Sequence, residues 1–183
     1  EMFDQQLNSL PNHWGDSAKA VYPGNTPMER LYSLRDVVRD VNFGWPAYKW
    51  ATQQTKTGKS PVYVAYLTQN SEKTVYAKGN RRRAAHADDI MYLDGRFDKE
   101  ADKYPQEKMV GDLMQQYWVN FAKTGNPNGE GLPKWTVYDE QKPSVMQFKD
   151  GATLIPLPNK EKIQLIDRFM QYFRNLQSGQ VAQ

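Results

Sequence analysis

The sequence predicts an α/β fold, and three observations carry that prediction. Residues 61–68 form a run rich in β-formers, bounded by proline and by polar residues. Apolar residues at spacings of three and four flank it on both sides, at 31–41, 109–121 and 163–173. Two short extended segments, 144–149 and 152–156, come just before the last helical stretch. A strand between helices, followed by a small β/α element, reads as a central-sheet strand with helical cover.

In chain order, Gln5 to Val21 reads as an amphipathic helix broken at Pro11, with His13 in the break and a further helical turn after Asp16 as N-cap. Pro23, Gly24 and Asn25 make a turn, and Pro27 fits the first helical position of a helix carrying Leu31, Leu34, Val37, Val38 and Val41. A second helical stretch runs from Trp45 to Gln54. Gly58, Lys59 and Ser60 mimic the end of a phosphate-binding loop, but position 53 is glutamine and Pro61 opens a strand where the motif needs a helix. Nucleotide binding is therefore not expected. Pro61 to Thr68 is apolar enough to predict a buried, central strand.

Asp94, Gly95 and Arg96 make a turn, and Pro105 opens a long helix whose Met109, Val110, Leu113, Met114, Tyr117, Trp118 and Phe121 share one broad face. Lys123, Thr124 and Gly125 mark its end. Asn126 to Pro133 is an irregular loop. Trp135 to Tyr138, Ser144 to Lys149 and Ala152 to Pro156 are short strands or extended pieces. Asn159 is placed to cap a final helix with a stripe of Ile163, Ile166, Met170 and Phe173.

A chain of 183 residues is long enough to bury a core without staples. It has no cysteine, which excludes a disulfide framework, a thiol nucleophile and thiolate metal sites, and two distant histidines argue against a zinc cluster. Its 24 basic and 21 acidic residues are interspersed, giving +3, which is an ordinary solvated surface and not a nucleic-acid footprint. No apolar run approaches membrane-spanning length, and Glu1 to Gln6 lack the order of a signal peptide. Five Trp and eleven Tyr predict a core of aromatics with polar tips.

The chemistry concentrates at Arg81 to Asp94. Here His86 stands between Ala85 and Ala87, with Asp88 and Asp89 close behind. Alanine neighbours leave the imidazole approachable, and its near-neutral pKa lets it take and return a proton. From these residues alone a surface histidine in a polar loop is the favoured reading. Arg81 to Arg83 read either as an anion patch or, beside the aspartates, as a mutually paired solvated loop.

The order of these pieces resembles the C-terminal part of type B carboxylesterases, a family that includes para-nitrobenzyl esterases and cholinesterases. The resemblance is carried by the strand, by the loop presenting His86 with an acidic residue three positions on, and by the run from Trp118 to Gly129, Trp-Val-Asn-Phe-Ala-Lys-Thr-Gly-Asn-Pro-Asn-Gly. Trp135, Tyr138 and Pro143, and Asp40, Phe43 and Pro46, support it. The likeness implies an α/β-hydrolase of which this chain, 1–183, is a single C-terminal segment, the nucleophile-bearing N-terminal part being absent. It implies that His86 is the general base of a Ser, Glu/Asp, His triad acting on a small carboxylic ester. Asp89 matches the position that braces the loop, and Asp40 a position that supports the site from behind. No metal or cofactor is implied. The family usually has glycine beside this histidine, where the chain has alanines.

The chain has no Gly-x-Ser-x-Gly elbow, and Ser9, Ser17, Ser33, Ser60, Ser71, Ser144 and Ser178 lack that context. It also lacks the Asp-Glu-Gly type segment that carries the triad acid. The expectation is an enzyme segment inactive by itself, whose partner is the missing N-terminal part. A non-catalytic, esterase-like binding or adhesion module and an independent α+β domain of common ancestry are the alternatives. The family is often exported in bacteria, and a signal would lie upstream of Glu1.

Overall fold

The structure, a computed structural model, describes Gln5 and residues 14–71 and 84–179. His13 and Arg81 to Arg83 lie outside the described residues. The elements are α1 (Trp14–Val21), α2 (Pro27–Arg39), a π-helical turn (Asp40–Gly44), α3 (Trp45–Thr57), β1 (Ala65–Leu67), α4 (Asp88–Leu93), a 3-10 turn (Asp98–Glu100), α5 (Pro105–Thr124), β2 (Ser144–Phe148), β3 (Ala152–Pro156) and α6 (Lys160–Gln177). They divide into two compact units, Glu1–Trp50 with Asn159–Gln183, and Ala51–Pro158.

In the first unit, α1 begins at Trp14, so Asp16 lies inside its first turn, where its charge suits the helix N-terminus, and not at the cap. Pro27 opens α2 as expected. Thr26 and Glu29 close a capping box around it, each side chain accepting from the other residue's backbone N–H. The apolar stripe of α2 is only partly used. Leu34 and Val37 pack on the core formed by Trp14, Ala18, Tyr22 and Leu165, whereas Leu31 and Val38 are exposed and Ser33 and Asp40 are buried. The ring of Trp14 meets Phe169 of α6 edge-on at 5.4 Å. Asn159 does hold the N-cap position of α6, but in the left-handed region (φ 54°) with no side-chain bond. Of its expected stripe, Ile163 and Ile166 are buried and Phe173 is exposed.

The second unit holds the sheet, in order β1-β2-β3. β1 runs parallel to β2, pairing Ala65 with Met146 and Leu67 with Phe148, and β2 pairs antiparallel with β3. Among the described residues β1 is therefore an edge strand, shorter than residues 61–68 and not buried: Ala65 is exposed, Tyr66 and Leu67 half-buried. The reason is visible in the backbone bonds. Pro61 has no N–H, and the extended residues 62–64 are paired on one side only, Val62 accepting from Tyr138 N–H (2.8 Å) and Val64 from Met146 N–H (2.9 Å).

α5 supplies the core. Val110, Met114 and Tyr117 are buried against Tyr92, Phe97, Trp135, Met146 and Phe148, but Met109, Trp118 and Phe121 of the expected face stay partly exposed. Gly111 lies against the Tyr92 carbonyl, which a Cβ would meet at 3.1 Å, and this lets α4 approach α5. α5 ends at Gly125 in the left-handed conformation (φ 74°), as its glycine predicts. Gly58 closes the C-terminus of α3 through its N–H to Gln54 (2.8 Å), the wrong end of a helix for a phosphate loop. Among the described residues no helix is long and apolar enough to cross a membrane.

Candidate active site

His86 occupies a β-turn leading into α4. Asp88 N–H donates to the Ala85 carbonyl (3.2 Å), closing the turn around His86 and Ala87. Ala87 adopts φ 65°, ψ 9°, the left-handed region that favours glycine at the third position of such a turn. Holding a non-glycine residue there costs on the order of 1–3 kcal/mol. The turn turns the imidazole outward: His86 is exposed, whereas Asp88, two residues on, is 5% exposed.

A carboxylate this buried needs partners, and Asp88 Oδ2 accepts from the Ala85 backbone N–H at 2.7 Å. The bond brackets His86 from inside the protein. Asp89 is exposed and faces a cavity of about 180 Å³ beside the turn. Ala84 and Ala85 line it from the turn, Ala65 and Leu67 from β1, Met114 and Trp118 from α5, and Phe148 from β2. Asp89 is the only charged side chain among the described residues that line it. The cavity lies beside the turn, with His86 itself not among the described residues that line it, and an exposed imidazole is a group suited to proton transfer.

Asp40 belongs to the first unit. It is almost fully buried and accepts from the Tyr22 hydroxyl (3.0 Å) and from Arg39 Nε (2.8 Å), with the Arg39 guanidinium also at 2.6 Å. Burial, and then the Asp40 charge, push the Tyr22 phenol far above its usual range, so it remains a donor. Arg39 and Lys162 both reach Asp36 (2.8 and 2.7 Å), so Asp36 and Asp40 are held in one connected network.

Sequence reasoning missed Asp88. Two adjacent aspartates after the histidine look alike until the helix phase is known, and the one signal was their place at the N-terminal end of an apolar stretch. The Trp118 to Gly129 run is explained by hydrogen bonds: Asn120 Nδ2 donates to the Pro127 carbonyl (3.2 Å), Thr124 Oγ1 to the Asn120 carbonyl (2.9 Å), and Asn128 bonds Trp135. These residues fold the loop onto the core. Among the described residues no group of three or more His, Asp or Glu gathers as metal ligands do.

The family model described as "Carboxylesterase family" matches residues 2–166. This chain belongs to that family. Among its relatives are the acylcarnitine hydrolase of Rattus norvegicus, 36% identical over 137 residues, and the pyrethroid hydrolase Ces2a of Mus musculus, 33% identical over 122 residues. The first match covers 71% of this chain and 24% of the relative, the second 64% and 22%. A solved PNB esterase superposes with a TM-score of 0.65 at 26% identity, over 90% of this chain and 32% of that one. The chain thus spans about a quarter of the length of these curated relatives. The esterase neighbours are α/β-hydrolases, and the small mixed sheet with its flanking helices is part of that fold.

Proposed function

We propose that this chain is the C-terminal segment of a serine carboxylic-ester hydrolase and that His86 is its general base. The single observation that carries the proposal is the turn holding His86 exposed between Ala85 and Asp88, beside the apolar hollow. Membership of the carboxylesterase family, and relatives and neighbours named as hydrolases and esterases, support it. In this reading the serine and the triad acid come from the N-terminal part of the same hydrolase. His86 takes the hydroxyl proton as the serine attacks the ester carbonyl, then delivers it to the departing alcohol. Asp89 and Asp40 support the site without touching the reacting atoms, and the segment by itself does not turn over.

The test is hydrolysis of a p-nitrophenyl ester by the full-length product, by the same protein with His86→Ala, and by this chain alone. Full-length turnover that falls about 10³-fold or more in a folded His86→Ala variant, with none from the segment, supports the assignment. An inactive full-length product, or an unchanged rate in the variant, overturns it and favours a non-catalytic binding module.

A further inference from the structure

The turn that carries His86 is closed by bonds between its end residues, and the Ala87 carbonyl accepts a longer one from the Ile90 N–H at 3.3 Å. Ala85 and Asp88 exchange two bonds, one from backbone N–H to backbone carbonyl and one from backbone N–H to the Asp88 carboxylate. Asp88 is anchored in turn: it is the first residue of α4, nearly all of it is buried, and one helical turn on lies Tyr92, 1% exposed in the core with Phe97 and Val110. The conformation that this bond holds is one the sequence disfavours, because Ala87 sits in the left-handed region. Released from Asp88, the two inner residues have a less strained alternative in which the His86 backbone, and so its ring, points elsewhere.

We infer that Asp88 is a positioning residue for His86: its carboxylate clasps the Ala85 N–H, locks the left-handed turn and aims the imidazole. The inference rests on the reading of His86 as general base. A displacement of about 1 Å at a proton-transferring group is enough to lower a rate about 100-fold, so a single backbone clasp is a sufficient lever.

The experiment compares the full-length product with its Asp88→Ala, Asp88→Asn, Asp88→Glu and His86→Ala variants on a p-nitrophenyl ester. Sites are counted by titration with a phosphonate ester, so that kcat refers to folded protein only. Asp88→Ala is expected to lower kcat about 100-fold with KM within about threefold, because the aim of the base changes and the binding surface does not. Asp88→Asn, whose amide oxygen still accepts the Ala85 N–H, is expected to recover to within about tenfold of the parent. Asp88→Glu keeps the charge but moves the acceptor by one methylene, and is expected to stay at least about tenfold slow; this variant decides the matter where Asp88→Ala leaves no titratable sites. Parent-like kcat in Asp88→Ala or Asp88→Glu, with His86→Ala inactive, overturns the clasp and leaves the base in place. A parent-like rate in His86→Ala removes the base reading itself, whatever the Asp88 variants do.

Discussion

Asn128 holds Trp135 by both ends of its backbone: Asn128 Oδ1 accepts the Trp135 N–H at 2.7 Å, and Asn128 Nδ2 donates to the Trp135 carbonyl at 2.9 Å. The indole so fixed is 5% exposed and meets Tyr117 edge-on at 5.3 Å and Phe148 at 5.8 Å, so the loop that follows α5 is what seats the centre of the second unit. Asn128→Ala leaves both backbone groups without these partners. The expected cost is about 2–3 kcal/mol, at roughly 1–1.5 kcal/mol for each bond. Asn128→Asp keeps the acceptor and loses the donor, placing a carboxylate against a carbonyl, and is expected to cost at least as much. Urea unfolding followed by Trp fluorescence checks both, and a midpoint unchanged in Asn128→Ala would refute the role.

The turn at His86 makes a prediction of opposite sign. At Ala87, φ 65° penalises a Cβ that glycine does not have. Ala87→Gly removes strain of about 1–2 kcal/mol and adds back less than about 1 kcal/mol of unfolded-chain entropy. The variant is expected to be more stable by up to about 1 kcal/mol, against the usual result of replacing alanine by glycine. A lower melting temperature than the parent would show that the left-handed turn is not strained.

Much of this architecture was legible in the chain because it depends on local chemistry. Pro105, the three-and-four spacing after it and Gly125 delimit α5 at its observed ends. The histidine, too, stood out by its small neighbours. What was not legible depends on partners distant in sequence. Whether residues 61–68 are central or at an edge is decided by which strands bond on either side, and their composition carries no record of that. The Tyr22 to Asp40 bond joins residues eighteen positions apart, and the Asp88 clasp depends on a positive φ that alanine does not advertise. That Asp88, beside Asp89, bonds the Ala85 N–H also depends on the helix phase, which the sequence does not fix at a short helix.

Acid stability follows from Asp167. Burial pushes its carboxyl up, but hydrogen bonds from Trp45 Nε1 and from Lys49 (both 2.9 Å), with the Lys49 charge, outweigh it and hold it below the usual carboxylate range. A depressed folded-state pKa stabilises above the unfolded value, about 3.9, and that stability is lost as the pH falls through the lower folded value. Asp167→Asn is therefore expected to be less stable than the parent at about pH 7, by a gap that narrows once the pH falls below about 3.9 and is smaller at about pH 3. Urea midpoints at the two pH values test this, and an equal deficit at both would refute it.

The alkaline side is governed by phenols, and Tyr92 is the informative one. Its hydroxyl is buried, and among the described residues nothing hydrogen-bonds it. Burial first, then the charges of Glu107 and Asp88, raise its pKa well above 10, and burial also raises that of Tyr117. A raised folded-state pKa means stability that is complete below the unfolded value, about 10, and lost as the pH climbs through the folded one. The part of the tyrosinate absorbance that comes from Tyr22, Tyr92 and Tyr117 should accordingly appear together with the loss of helical circular dichroism. Tyr92→Phe removes both the unsatisfied hydroxyl, worth about 1 kcal/mol or more, and one of the groups that must ionise. It is expected to stabilise the protein at neutral pH and to move the alkaline midpoint upward. Destabilisation of Tyr92→Phe by more than about 1 kcal/mol would mean that the hydroxyl has a partner, since an orphaned hydroxyl costs the folded state and contributes nothing to it.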